Sequence, residues 1–219
     1  MPVGEIIAIG TELLLGDIVD TNTSYLARTL RELGIDLYRT MIVGDNEKRI
    51  VEAIHEAMQR AQIIITTGGL GPTIDDPTRQ AVAQVFGVDL EFRPELWDQI
   101  EERFSRFKRS VSENNRRQAY IPRGAVAIEN QVGTAPAFFF DSGEQIIIAL
   151  PGVPREMEYL TVNKIIPLLK NRFDLRTVIK SNVLHTAGIG ESQVDQLIGD
   201  FERLTNPTVG LLAYPGQID

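Results

Sequence analysis

The sequence has no cysteine, which excludes a disulfide framework, a thiolate zinc site and a cysteine nucleophile. Only two histidines stand among its 219 residues, so a multi-histidine zinc centre is nearly impossible and any metal falls to oxygen ligands. Such ligands suit Mg²⁺ or a similar divalent ion, Mn²⁺ or Co²⁺. No apolar run approaches the roughly 20 residues of a membrane span. The N-terminus enters Val3-Gly4-Glu5-Ile6-Ile7-Ala8-Ile9 directly, without a basic region or signal-peptide core, so the expected location is the cytoplasm. Positive charge is also in deficit. Lys plus Arg number 22 against 30 Asp plus Glu, a net −8, which argues against bulk nucleic-acid binding and leaves room for a local basic pocket. What is present is ordinary for a globular chain: 43% apolar and 24% charged residues, enough for one sizeable domain and a small second one.

Taken in order, Gly4 to Gly10 reads as a strand, and Gly10 to Asp17 as the loop after it, with Glu12 at the strand's carboxyl end. Asp20-Thr21-Asn22-Thr23 offers cap chemistry for a helix with Tyr25, Leu26, Thr29, Leu30 and Leu33 at helical spacing, stopped at Gly34. Ile35 to Val43 reads as a second strand. Asp45, in the turn beyond it, is either a turn residue or a site acid. The next helix carries Ile50, Val51, Ile54 and Met58 on one face, with His55 expected on its surface or rim.

Gln62-Ile63-Ile64-Ile65 is a short β-branched run of the kind that forms a buried parallel strand. Thr66-Thr67-Gly68-Gly69-Leu70-Gly71-Pro72-Thr73-Ile74-Asp75-Asp76-Pro77 follows, and then a helix from Pro77, for which Asp76 is the expected N-cap. A glycine-rich turn between a strand and a helix N-terminus suits an anion, although the same glycines also serve a tight connection. No Lys-Ser/Thr follows, so this is not a Walker A loop, and the spacing is not that of a dinucleotide fold. The paired acids Asp75 and Asp76 add what a bare turn does not need: oxygens able to bridge a metal to phosphate. Gly69→Ala is therefore expected to weaken nucleotide binding more than folding.

Three strand–helix units in succession predict a three-layer, doubly wound, mostly parallel α/β sheet. Beyond Val88 to Phe92, Pro94 opens a long amphipathic helix with Leu96, Ile100, Phe104, Phe107 and Val111 on one stripe. Arg103, Arg106, Lys108 and Arg109 lie on its other face. Phe138-Phe139-Phe140 and Gln145 to Ala149 read as further strands. Leu150-Pro151-Gly152-Val153-Pro154-Arg155-Glu156-Met157 turns into a helix running to about Leu169, a second junction of the anion-binding kind. From Arg176 the character changes: a strand to Leu184, a helix with Val194, Leu197, Ile198 and Phe201, and a strand over Val209 to Ala213. The expected domains are 1–172 and a small α+β module over 173–219, either a compact appendage or a truncated piece.

These motifs resemble one family. TGGLGPTIDDPT, with GTELLLG at the start and LPGVPREM near residue 150, resembles the N-terminal molybdopterin-binding-like domain of the CinA (competence/damage-inducible) family. It is more distantly similar to the Mog and MoaB proteins. The resemblance implies a metal-dependent hydrolase that splits the diphosphate of ADP-ribose into AMP and ribose 5-phosphate. By the same resemblance, Asp45 and Asp76 would be the catalytic pair, and Glu12, Asp45, Asp75 and Asp76 would hold the divalent metal. Gly68, Gly69, Gly71 and Thr73 would cradle phosphate. Asn115, Arg116 and Gln118, from the N-x-x-Q-A-x-x-P segment, would complete the pocket with Gly133, Thr134 and Gly152. Ala137 stands where the family usually has glycine, which either weakens the site or merely starts a strand. A nucleotide substrate is the expected partner, with no membrane and no direct nucleic-acid contact. A homo-oligomer is expected, with a dimer favoured. Full-length relatives continue into a domain that deamidates nicotinamide mononucleotide; nothing here corresponds to it, so that activity is not assigned. Two rivals stay open: molybdopterin binding or adenylylation, and a non-catalytic nucleotide-binding regulator linked to competence or DNA damage.

Overall fold

The computed structural model describes residues 1–106, 108–175, 182–201 and 203–219. The chain divides into two units, Met1–Ile179 and Lys180–Asp219. The strands of the first are β1 (Val3–Ile9), β2 (Asp36–Val43), β3 (Ile63–Thr67), β4 (Leu90–Phe92), β5 (Tyr120–Pro122), β6 (Val126–Ile128), β7 (Ala137–Asp141) and β8 (Ile146–Leu150). Its helices are α1 (Thr11–Leu15), α2 (Thr21–Glu32), α3 (Glu47–Met58), α4 (Thr78–Val85), α5 (Pro94–Arg106), α6 (Pro154–Leu160) and α7 (Ile166–Phe173). Six strands form one sheet in the order β2-β1-β3-β8-β7-β6. The first four run parallel, and β7 and β6 close one edge antiparallel. β4 and β5 form a separate antiparallel pair.

The sheet is covered on both faces because its central strands are apolar on both. In β3 and β8 every residue is buried, as sandwiched parallel strands require. Alternate residues feed two cores. Ile7, Ile64 and Ile147 pack with Ile50 and Ile54 of α3, Val82 of α4, and Leu96 and Ile100 of α5. Ile6, Ile63, Ile65 and Ile148 pack with Leu26 and Leu30 of α2, Met157 and Leu160 of α6, and Leu169 of α7. The period of two in the strands against the longer helical period builds the three-layer, mostly parallel architecture expected from the sequence.

Several boundaries differ from expectation for local reasons. Residues 11–15, expected as loop, form a single helical segment that ends at Gly16 in the left-handed region (φ 77). α4 begins at Thr78, with Pro77 in the capping position, so Asp76 is not its N-cap. α5 ends at Arg106 rather than near Val111, and Phe107 lies outside the described residues. The helix after Pro154 passes through a π turn over Thr161–Ile165 before α7. Pro167 has no N–H to give to the preceding turn, which favours such a widening. Ala137 is fully buried at the start of β7, paired with Ile128. Of the two readings of that residue, the strand start is the one that holds.

The second unit contains β9 (Thr186–Ala187), α8 (Glu191–Ile198), β10 (Ala213–Tyr214) and β11 (Gln217–Ile218), with an antiparallel sheet in the order β10-β11-β9. Residues 176–181 of the expected strand lie outside the described residues, and pairing begins only at Thr186. The expected strand 209–213 is confined to its end, because the chain turns at Gly216 (φ 81) and pairs with itself.

One polar pair lies inside this hydrophobic frame. Glu5 on β1 is 2% exposed, and Arg60 holds both its carboxylate oxygens, through Nε at 2.5 Å and Nη2 at 3.2 Å. Removing one partner strands the other. Arg60→Ala should lower the unfolding free energy by about 3 kcal/mol, whereas Glu5→Leu combined with Arg60→Leu should restore most of it. Urea denaturation of the three proteins checks this.

Candidate functional site

β2 lies on one side of β1 and β3 on the other. The carboxyl ends of β1 and β3 thus flank the point where the strand order reverses, which is where open α/β sheets hold ligands. Four segments leave parallel strands along this edge: Gly10 and the start of α1 after β1, Gly44–Asp45 after β2, Gly68–Asp76 after β3 and Pro151–Val153 after β8.

The glycine-rich loop is packed by the protein's own atoms. Gly68 has φ 110, and a Cβ there would stand 2.1 Å from the carbonyl oxygen of Ile9. Gly69 has φ 64, and a Cβ would stand 2.2 Å from Thr78 Oγ1. Gly152 lies against Gly68, where a Cβ would be 3.3 Å from the Gly68 Cα.

The loop's carbonyls turn inward. Thr78 donates Oγ1–H to Gly68 O at 2.8 Å and its backbone N–H to Gly69 O at 3.2 Å. Arg79, 2% exposed, donates Nη1–H to Leu70 O at 2.8 Å and Nη2–H to Gly71 O at 2.6 Å. Arg117 reaches Pro72 O at 3.5 Å. Every carbonyl from 68 to 72 therefore has a protein donor. The Gly68 N–H goes to Leu150 O at 3.0 Å. The amides of Gly69, Leu70 and Gly71 have no hydrogen-bond partner among the described residues. Successive free amides ahead of a helix make a concavity suited to an anion. Burial pulls the Arg79 pKa down to about 10, against the pull of Asp76 and helped by Arg117. It remains a cation at neutral pH, buried behind the loop.

The acids occupy different loops. Asp45 Oδ2 accepts from the Thr11 N–H at 2.7 Å, and Thr11 Oγ1 accepts from the Asp45 N–H at 3.1 Å. This reciprocal pair ties the β2 loop to the β1 loop. Asp76 Oδ2 accepts from Thr73 N–H at 2.8 Å and Thr73 Oγ1 at 2.6 Å. That bond, rather than helix capping, is its structural role. Thr73, Asp75 and Glu12 are exposed. Among the described residues, no group of three or more His, Asp or Glu side chains is placed to hold a metal ion. Glu12, Asp45, Asp75 and Asp76 thus do not form a ready-made cage. Asp45 and Asp76 each keep Oδ1 without a protein partner among the described residues. Such a set fits an ion that takes one or two carboxylates and the rest of its ligands from substrate phosphates and water.

The remaining expected residues divide. Asn115 and Gln118 are buried and bonded to each other at 3.2 Å, with Asn115 also capping Ser112. They shape the segment from within. Arg116 is exposed, with its guanidinium 5.0 Å from the Phe92 ring centre. Arg117 is the arginine of this segment that reaches the glycine-rich loop. Gly133 and Thr134 lie in a loop organised by Asn130, whose Oδ1 accepts from the N–H groups of Val132 at 3.1 Å and Gly133 at 2.9 Å. Asn130 Nδ2 donates to Glu156 Oε2 at 2.6 Å. His55 is exposed on α3, as expected.

Sequence reasoning missed Arg79, Arg117 and Glu156. An arginine in the first turn of a helix reads as solvated, and only its position directly after a glycine-rich loop hinted at more. Glu156 is half-buried, and burial pushes its carboxyl pKa up, against the bond from Asn130 and the nearby charge of Arg103.

The fold and the reversal-point loop define a molybdopterin-binding type of domain, and the comparisons agree. Residues 5–171 match the family described as "Probable molybdopterin binding domain", and residues 181–219 match the "Damage-inducible protein CinA KH domain". The chain belongs to the CinA family of competence-damage inducible proteins. A competence-damage inducible protein of Halothermothrix orenii is 44% identical over 216 residues, 99% of this chain and 52% of that protein. One from Clostridium botulinum strain Kyoto is 46% identical over 214 residues, 97% of this chain and 52% of that protein. The chain thus spans about half the length of these curated relatives. The solved structure of CinA from Thermoplasma acidophilum, described as of unknown function, is 31% identical with a TM-score of 0.70, covering 78% of this chain and 98% of that one. MoaB of Thermus thermophilus, a molybdopterin biosynthesis enzyme, shares the fold at 17% identity and TM-score 0.51, over 80% of this chain and 98% of that one.

Two predictions follow from the packing. The methyl of Gly69→Ala meets Thr78 Oγ1 rather than open space. This reverses the expectation from sequence: the change should cost at least about 1 kcal/mol of stability, and the folded fraction should still bind nucleotide. Thermal unfolding and nucleotide affinity on one sample separate the two effects. The second concerns Glu156. A carboxyl with a raised folded pKa contributes stability below the unfolded carboxylate range and loses it as pH rises through the folded value. Glu156→Gln keeps an oxygen for Asn130 and removes the half-buried charge. Its melting temperature should match wild type near pH 4 and exceed it at pH 7 to 8; a variant less stable at neutral pH would contradict this.

Proposed function

We propose that this chain hydrolyses the diphosphate of ADP-ribose, giving AMP and ribose 5-phosphate, with a divalent metal as cofactor. The observation that carries the reading is the loop at the reversal point of the sheet. Its carbonyls from 68 to 72 are bound inward, while the amides of Gly69, Leu70 and Gly71 are left without partners among the described residues. Donors of that kind, backed by the Arg79 cation, suit a phosphate whose charge grows in the transition state. A divalent ion, when bound, neutralises diphosphate charge.

Of the carboxylates, Asp45 and Asp76 suit chemistry best. Each has one oxygen fixed, that of Asp45 by Thr11 after β1 and that of Asp76 by Thr73 of its own loop, and the other without a protein partner among the described residues. A fixed carboxylate at this edge is suited to orient a water and take its proton as that oxygen bonds to phosphorus. The bridging P–O bond then breaks, and the leaving phosphate carries the electron pair.

Two tests apply. ADP-ribose turnover should require Mg²⁺, Mn²⁺ or Co²⁺ and disappear in excess chelator; undiminished turnover in chelator sinks the reading. Asp45→Asn and Asp76→Asn each keep an oxygen able to accept the loop N–H, so their melting temperatures should stay near wild type. Turnover should fall about 100-fold or more, the usual worth of a general base. If both variants remain fully active, the two acids serve only their loops. Nucleotide binding without cleavage of any diphosphate compound would favour a regulatory binding module.

A further inference from the structure

The two acids given chemical roles above are held in different ways. Asp76 takes its bonds from Thr73, three residues earlier in the same loop, whereas Asp45 is bound by a residue 34 positions away in sequence. That residue is Thr11, which has no part in the function proposed above. The two meet because β1 and β2 run parallel, paired as far as Ile9 and Val43, and the Gly10 N–H continues the ladder to Val43 O at 3.0 Å. Thr11 and Asp45 extend the pairing beyond the strands with two crossed bonds. The Thr11 N–H goes to Asp45 Oδ2 at 2.7 Å, and the Asp45 N–H goes to Thr11 Oγ1 at 3.1 Å. Gly44 leaves room for this approach. A Cβ there would stand 3.2 Å from Thr11 Oγ1 and 3.1 Å from Leu14 Cδ1, closer than such atoms normally pack.

Stability alone does not account for this pair. Thr11 is exposed and Asp45 is half-buried, so each bond replaces one to water and gains little. What the pair does fix is direction. An aspartate carboxylate turns about two single bonds, and among the described residues the Thr11 N–H is the one protein donor to it. With Oδ2 tied, Oδ1 is the oxygen left without a protein partner among the described residues. The two bonds are separable. An N–H at residue 11 belongs to the backbone and survives a change of side chain. The hydroxyl does not, and it holds the backbone of residue 45, from which the carboxylate projects.

We propose that Thr11 is a positioning residue of this site: its hydroxyl holds residue 45 so that the Asp45 carboxylate stays where it orients the attacking water and takes its proton. The inference rests on the role of Asp45 in the proposed hydrolysis and adds what keeps that carboxylate in place. No contact with substrate is asked of Thr11. A general base works only within hydrogen-bond reach of the proton it removes, and a misplacement of about 1 Å can cost about 100-fold in rate. Supporting bonds of this kind are how a site keeps its reacting groups in register. Because Thr11 acts through Asp45, its loss falls on the chemical step. The free amides of the glycine-rich loop follow β3 and are held by other residues, so ligand binding is spared.

The test compares Thr11→Val, which keeps the shape of the side chain and removes the hydroxyl, with Thr11→Ser, which keeps the hydroxyl. At saturating Mg²⁺, kcat for ADP-ribose should fall about tenfold or more in Thr11→Val. KM and the calorimetric affinity for AMP should not change, the pattern of an interaction that serves the transition state. The melting temperature should stay near wild type, since the position is exposed, and Thr11→Ser should restore most of the rate. A second readout needs no turnover. The amide proton of residue 11, bonded to a carboxylate, should shift strongly in NMR spectra when Asp45→Ala is made in the wild type. It should shift far less when the same change is made in Thr11→Val, where the carboxylate has already swung away. Full kcat in Thr11→Val, or a rate lost together with AMP affinity, overturns the inference and leaves the proposed activity standing. An amide that responds to Asp45→Ala equally in both backgrounds also overturns it, because the carboxylate is then held without the hydroxyl. A wild type that cleaves no diphosphate compound overturns the activity and the inference together.

Discussion

A side chain at residue 68 has nowhere to go. The backbone of the glycine-rich loop passes so close to the last carbonyl of β1 that a Cβ would lie 2.1 Å from it, far inside any allowed contact. This contact joins the ends of β1 and β3, the two strands between which the sheet reverses its order. From it follow the seating of Gly152 against Gly68, the bond from Gly68 to Leu150, and the reach of Asn22 to both Thr67 and Gly152. The loops of β1, β3 and β8 are thus fastened to one another before any ligand is considered. A site whose donors are fixed by packing loses little freedom on binding, which favours affinity and rate alike.

The same packing determines what the loop can offer. Thr78, Arg79 and Arg117 lie behind it and saturate its carbonyls. Arg79 matters most among them, because it bridges two successive carbonyls while buried and charged. Burying a guanidinium is unfavourable unless its donors are used, and here they are used to orient backbone. The loop's acceptors are spent internally, so donors remain for the ligand.

The frame was legible in the sequence because it depends on pattern. β1, β3 and β8 announce themselves as short apolar runs, and the amphipathic stripes of α2 and α3 need only helical spacing. Details that depend on partners across the fold were not legible. Asp76 before a proline looks like a helix cap, yet its oxygen goes to Thr73, and nothing local distinguishes the two roles. Asn115 and Gln118 read as polar groups available to a ligand, but they are buried against each other. Gly69 read as room for phosphate, and the room is taken by Thr78. Arg79 and Arg117 carry no mark separating them from solvated arginines. Asn22 sat unremarked inside a capping sequence, since its bonds to Thr67 and Gly152 appear only when α2, β3 and β8 have been brought together.

The net charge of −8 sets the electrostatic background for these local choices. A chain this acidic repels an anionic ligand at long range, and surface lysines or arginines at the crevice would be the simplest remedy. The described structure does otherwise. Arg79 is sealed behind the loop, Arg117 is turned to the Pro72 carbonyl, and the loop presents neutral amides. Amides and a helix N-terminus attract an anion only at contact, so they favour bound phosphate without adding mobile positive charge. For the proposed diphosphate ligand, what they would leave uncorrected is its approach past Asp45, Asp75 and Asp76. On the function proposed above, a divalent ion travelling with the ligand would correct it, since it would lower the ligand's charge and turn these acids from repulsive to attractive. On that argument the crevice carboxylates and the amide loop are complementary halves of one anion site.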